Sequence, residues 1–394
     1  MSIASILIAL SAAASDVVEV PAATAAGAAY ESVSNVFWTA DMLVWVLTPL
    51  LLLCSGLGSR ICNAIARRVG HRRYPTLILF SGVLLLLIQL IRALIDFFWV
   101  RAHDHALAAQ LTAVADWLLG ELRDSLFLII GGVVAITAVY WLMGKSPRRW
   151  WLYASFTGAG IVLCALLIQP LTMDYAPLGE RPISSKITAL ANRIGVSADR
   201  IGVQHADDQS GCGAATVVGL GPTRRILLDD SLLDNYTDGE IIESLAHESK
   251  HFVRDDNIKA VPLISGWLLC ALWLVAHLGN WAARRWRNAF GFASVAEPAA
   301  LSLAVLIFAI TYLVALPFGR AFQRTIVEQA ADRFALDVTG DNLSEAMLYV
   351  KDAKCYPLLV PAPGNFYRLF RATHPSLEQR IQFANSYYGT SKAP

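Results

Sequence analysis

The sequence predicts a mainly α fold: a polytopic α-helical membrane protein carrying a small α+β region, in which an HExxH helix lies beside a β-sheet. Three observations lead there. Of 394 residues, 56% are hydrophobic and only 16% charged, a balance too apolar for a water-soluble globule. Six stretches, each about twenty residues long, are apolar enough to cross a bilayer. Between the fourth and fifth lies a polar insert that contains His247-Glu248-Ser249-Lys250-His251.

Taken in order, the leader 1–35 opens with an apolar but short segment, 1–14, which has no basic flank and ends in Leu-Ser-Ala-Ala-Ala-Ser-Asp. It reads either as a weak signal-peptide region or as a short first membrane helix. The spans fall at 36–57, 74–100, 125–143 and 150–173, a four-span membrane domain over 36–173, and then at 261–280 and 299–318, a two-span region over 261–318. Trp38, Trp99, Trp150, Trp151 and Trp281 sit near span ends, as interfacial anchors do. Arginine and lysine gather in three connecting loops: Arg60, Arg67, Arg68, Arg72 and Arg73; Lys145, Arg148 and Arg149; and Arg284, Arg285 and Arg287. Alternating spans put all three loops on one side, which the charge bias makes cytoplasmic. The leader, the insert and the tail after 318 then face the extracytoplasmic side of a plasma or inner membrane. The net charge of +1 gives no footing for nucleic acid.

The insert, 174–260, begins with a helical pattern over 184–193 and continues with strand-like runs at 201–205, 215–220 and 225–228. Gly219-Leu-Gly-Pro-Thr makes a turn between the last two, so a hairpin is expected. Next comes an amphipathic helix with apolar Ile241, Leu245 and Phe252. Residues four apart share a helix face, so His247 and His251 can hold one metal ion, and Glu248 can take a proton from a water that the metal activates. A chance HExxH in such a chain arises on the order of once in a hundred sequences. A small sheet beside an HExxH helix is zincin-like, because an exposed strand edge can pair with an extended substrate.

A catalytic zinc needs a third protein ligand and an open position. In the C-terminal region, 319–394, Glu328 and Asp332 stand four apart on an expected helix: Glu328 as ligand, Asp332 as the partner that holds a histidine ring by its far N–H. A solvated acidic face is the alternative.

HESKH, two spans, EQAAD and then Thr373-His-Pro-Ser-Leu-Glu-Gln-Arg-Ile381 together resemble the CAAX prenyl protease type I family and the related HtpX-type membrane proteases. Gly219 to Leu233 resembles the segment that precedes the HExxH helix there. The resemblance covers about 177–381, and the four upstream spans fit more loosely. It implies a membrane zinc endopeptidase with a helix-walled chamber and one Zn2+ per chain, held by His247, His251 and Glu328 with Glu248 as general base. It further implies that Asp332 orients His247 or His251, that His374 stabilises the oxyanion, and that Arg380 supports the site. Two departures stand out. The family commonly has Asn-Ala in its substrate-binding strand, where this chain has Ala214-Ala215 followed by Thr216 and Val217, so backbone pairing alone remains for holding substrate. Eukaryotic prenyl proteases of this family also carry the catalytic domain on the cytosolic side, opposite to the side deduced from charge.

Among the remaining residues, Arg92 and Asp96 can pair on one helix face, Asp41 marks an interface, and His103 and His105 lie in a polar loop. His205 can approach the site from its strand, with a structural role as the plainer reading. Cys212 and Cys355 both fall in polar regions where they can pair if that side is oxidising, unpaired thiols being the default. The expected activity is hydrolysis of peptide bonds in a protein or peptide substrate at the lipid bilayer. CAAX-type processing and broad HtpX-type quality control are rival substrate classes, and a catalytically inactive scaffold is the non-enzymatic alternative. The sequence fixes no oligomeric state.

Overall fold

A computed structural model describes residues 17–107, 113–206 and 212–388. Segment 1–14, with its leader reading, lies outside the described residues. Four long helices come first: α1 (Ala25–Cys54), α2 (Arg73–Ala106), α3 (Val114–Lys145) and α4 (Trp150–Ile168). The insert supplies β1 (Ala176–Pro177), α5 (Ser184–Ile194), β2 (Ile201–Gln204), β3 (Ala215–Val218), β4 (Arg225–Asp229) and α6 (Asp238–Arg254). Then come α7 (Asp256–Leu274), α8 (Leu301–Phe322), α9 (Gln329–Thr339), α10 (Asn342–Cys355) and α11 (Leu377–Ser386). Among the described residues, six helical stretches are long and apolar enough to span a membrane, one for each expected span. Large apolar side chains such as Phe127, Phe318 and Leu51 are exposed along them, as a lipid-facing surface requires.

The chain divides into two compact units, and over its described residues the second comprises Ser32–Ile161 and Pro262–Pro317. Its core gathers Leu77, Phe80, Leu84, Ile88, Tyr140 and Ala300. A cavity of about 750 Å³ lies in it, lined among others by Trp45, Arg92, Trp267, Phe308 and Tyr312. The polar residues within it differ from expectation. Arg92 pairs not with Asp96 but with Asp41, 2.6 Å away on α1, while Asp96 accepts from the Trp117 indole at 2.9 Å. A bidentate guanidinium–carboxylate pair between helices outcompetes a same-helix pair, because it satisfies both carboxylate oxygens where water is scarce. His103 and His105 lie in the last turn of α2 rather than in a loop.

The first unit comprises, over its described residues, 17–31, 162–206, 212–261 and 318–388. Its sheet has the order β1-β2-β4-β3, with β2 parallel to β4 and β3 antiparallel to β4 at the edge. The expected hairpin is β3–β4. Gly219, at φ +83°, ends β3 earlier than the alternation suggested, and a Cβ there would strike Pro170 and the Thr223 carbonyl. Ile187, Ile226, Leu228, Ile241, Leu245 and Ile381 close the core.

Helix α6 starts where its chemistry says it should. Thr237 and Glu240 form a reciprocal capping box, and the helix ends at Asp255 in the left-handed region. Cys212 and Cys355, unpaired by default in the sequence but able to pair on an oxidising side, are joined in a disulfide with Cα atoms 5.7 Å apart. Their sequence separation of 143 hides this proximity from any local pattern.

Candidate metal centre

Helical spacing brings His247 and His251 onto one buried face of α6, with their Nε2 atoms 3.2 Å apart. The last membrane helix does not stop at Phe318. The stretch runs on from Pro298 to Thr339 and delivers Glu328 to the same point. Glu328 Oε2 lies 3.2 Å from His247 Nε2 and 3.6 Å from His251 Nε2. Three atoms each about 2.0–2.1 Å from one tetrahedral zinc stand roughly 3.3–3.4 Å from one another, so this triangle has the dimensions of a zinc face. Glu328 Oε2 is buried and makes no hydrogen bond, while its Oε1 accepts from the Gln323 amide at 2.6 Å. A buried carboxylate oxygen aimed at two imidazole nitrogens is the donor set a divalent cation uses, and the residues fit the group.

Gln323–Glu328 forms a π-helical turn between α8 and α9. In a regular α-helix residues five apart point about 140° away from each other; the wider turn stacks them, so Gln323 can pin its neighbour's carboxylate. Lys250 donates to the Val327 carbonyl of this turn at 2.6 Å, which ties the turn to α6.

Each histidine is held from behind by its own acid. His247 Nδ1 stands 2.9 Å from Asp332 Oδ1, and Asp332 is in turn clasped by Arg380 at 2.5 and 3.1 Å. Arg380 also lies over the Tyr349 ring, 3.9 Å from its centroid, and its Nη2 is 3.2 Å from His247 Nδ1. His251 Nδ1 stands 2.8 Å from Asp256 Oδ2, a partner the sequence reading missed. A signal existed: Asp256 follows the helix end directly, and the left-handed Asp255 folds the chain back toward the last helical turn. Asp256 also takes Lys250 at 2.6 Å and Lys259 at 2.5 Å.

Glu248 sits on the adjoining face, its Oε1 3.9 Å from His247 Nε2. Burial raises its carboxyl above the ordinary Glu range, opposed by the histidines beside it. His374, with its side chain half-exposed, brings Nε2 to 3.2 Å from Glu328 Oε2. Thus His247, His251, Glu328, Glu248, Asp332, His374 and Arg380 converge. Ala215, Thr216 and Val217 lie in β3 at the sheet edge and Ala214 immediately before it, its carbonyl accepting from Asp229 N–H of β4 at 2.9 Å. His205 is elsewhere, paired with Asp230 at 2.7 Å.

Comparison with known proteins follows the same outline. A model of peptidase family M48 matches residues 177–387. The chain is 28% identical over 375 residues to an uncharacterized metalloprotease, YhfN, of Bacillus subtilis, spanning 92% of this chain and 86% of that protein. It is 27% identical over 271 residues to a CAAX prenyl protease 1 homolog of Dictyostelium discoideum, spanning 65% of this chain and 61% of the relative. The crystal structure of S. mikatae Ste24p shares the fold, with a TM-score of 0.72 over 88% of this chain and 84% of that one, at 19% identity.

Proposed function

The chain belongs to peptidase family M48, and from that membership we propose that it is a membrane-embedded zinc endopeptidase. The observation that carries the reading is the convergence of His247 Nε2, His251 Nε2 and Glu328 Oε2 beside the buried Glu248. A zinc ion held by those atoms supplies a Lewis acid that polarises the scissile carbonyl and lowers the pKa of water.

The chain's own residues do the rest. Glu248 takes a proton from the attacking water as its oxygen adds to the carbonyl carbon. It then gives that proton to the leaving nitrogen as the C–N bond breaks. His374 donates to the oxyanion from the open side of the site. Asp332 with Arg380 fixes His247, and Asp256 fixes His251, so both rings present Nε2. Substrate lies along the edge of β3. Replacing Glu248 with Gln is expected to keep zinc at one per chain and to slow cleavage about 10²–10⁴-fold. Metal analysis beside peptide cleavage in detergent checks both, and undiminished cleavage by Glu248→Gln would overturn the assignment.

The catalytic unit faces the extracytoplasmic side. The three basic loops support this, and so does the disulfide, since such bonds persist on oxidising faces of membranes. Prenylation is a cytosolic modification, so the disulfide favours broad proteolysis of membrane or extracytoplasmic proteins over processing of a lipidated C-terminus. Cleavage of one C-terminal peptide with and without a farnesyl group separates the two. Equal, Glu248-dependent cleavage of both forms supports the broad protease, and a strict need for the lipid supports prenyl-protein processing.

A further inference from the structure

We propose that Asn257 is a positioning residue that sets the register of substrate on β3; this rests on the peptidase reading above. The argument starts from the ladder between β3 and β4. Ala214 C=O accepts from Asp229 N–H at 2.9 Å, so residues 214, 216 and 218 turn their backbone groups toward β4. Ala215 and Val217 therefore turn theirs toward the open edge, where an extended substrate pairs. That edge is not wholly open. Asn257 Nδ2 donates to Val217 C=O at 3.3 Å and to Gly219 C=O at 3.0 Å.

Among the described residues, three outward groups remain for a substrate strand: Ala215 N–H, Ala215 C=O and Val217 N–H. A peptide running antiparallel makes two hydrogen bonds at Ala215 and one at Val217, and there the ladder stops. Beyond it Gly219, at φ +83°, carries the chain away from the strand. A peptide displaced by two residues would present the same faces and so could pair equally well along an uncapped edge. Asn257 removes that choice by occupying the carbonyl that a displaced peptide needs.

The position of Asn257 joins this stop to the chemistry. Asp255 is the left-handed residue that ends α6, Asp256 holds the metal-site His251, and Asn257 holds β3. Consecutive residues thus fix a ligand and the strand that aligns the scissile bond with it.

The test uses the full-length protein with one extended peptide substrate and its series of single N-methylated amides, with products identified by mass. In the wild type a single bond is cleaved, and methylating the N–H opposite Val217 C=O leaves the rate unchanged. In Asn257→Ala a second cleavage appears two residues away. The amide opposite Val217 becomes sensitive as well, with its methylation slowing cleavage about 2- to 10-fold, the worth of one hydrogen bond. Loss of rate in Asn257→Ala with an unchanged bond and an unchanged methylation profile would mark a merely structural residue and overturn the proposal. So would a wild type already sensitive at that amide, a result that does not depend on the variant folding. Absence of any Glu248-dependent cleavage overturns the peptidase reading and this inference with it; Glu248-dependent cleavage with the wrong pattern overturns this inference alone.

Discussion

Asp256 and Asp332 each hold the far nitrogen of a histidine in the metal site, yet they are embedded differently. Asp332 is matched by one buried cation, Arg380, whereas Asp256 is shared by the buried Lys250 and the more exposed Lys259. Replacing Asp256 with Asn is expected to lower zinc affinity about 10–100-fold. It also strands Lys250, at a cost of about 3–5 kcal/mol. Lys259→Met should change stability by less than about 1 kcal/mol, since the Lys259 ammonium reaches solvent and Lys250 stays on the buried carboxylate. Chelator competition and denaturant unfolding distinguish these outcomes. Glu243 offers a pH-dependent case. Fully buried, with both oxygens lacking a hydrogen bond and with Glu345 nearby, it is pushed up to about 9 by burial first and by Glu345 second. A carboxyl raised in the folded state favours folding most below its unfolded value, near 4.5, and that contribution is lost as pH rises toward about 9. Wild-type stability should therefore fall between those limits, and Glu243→Gln should flatten the fall. Unfolding at pH 5 and at pH 8.5 measures both slopes; parallel slopes would refute the account.

Helix α6 was legible because its cues are local, Ile241 and Leu245 inward and the two histidines at helical spacing; the Thr237–Glu240 capping box, equally local, went unread. Thr237→Ala should cost about 1 kcal/mol and leave cleavage per folded molecule unchanged. The π-helical turn was not legible, because a reading at 3.6 residues per turn has no place for it and puts Gln323 and Glu328 on different faces. Its role predicts that Gln323→Leu, by freeing Glu328 Oε1, weakens zinc binding about tenfold or more while the helix persists. Unaltered zinc affinity would show that the ligand needs no such restraint. The same limit explains Arg92. Its pairing with Asp96 was inferred from spacing along one helix, while the true partner, Asp41, belongs to another.

Charge asymmetry among short loops and a cysteine pair far apart in the chain both support the proposed extracytoplasmic side for the catalytic unit. Protein quenched with a thiol-blocking agent in its native cells should contain Cys212 and Cys355 linked, detected by mass spectrometry without reduction. A fully reduced pair would place the catalytic unit on the other side of the membrane. The spans were readable from hydropathy alone, but the disulfide and the extension of the last span to Thr339 needed the assembled chain. That extension bears on biogenesis. The histidines of α6 leave the ribosome before α7 and α8, whereas Glu328 emerges only after the last apolar stretch has been made. A nascent chain stalled before that stretch carries two imidazoles and no third ligand. On the proposed reading, competence for hydrolysis therefore arrives last, when the final helix is in place.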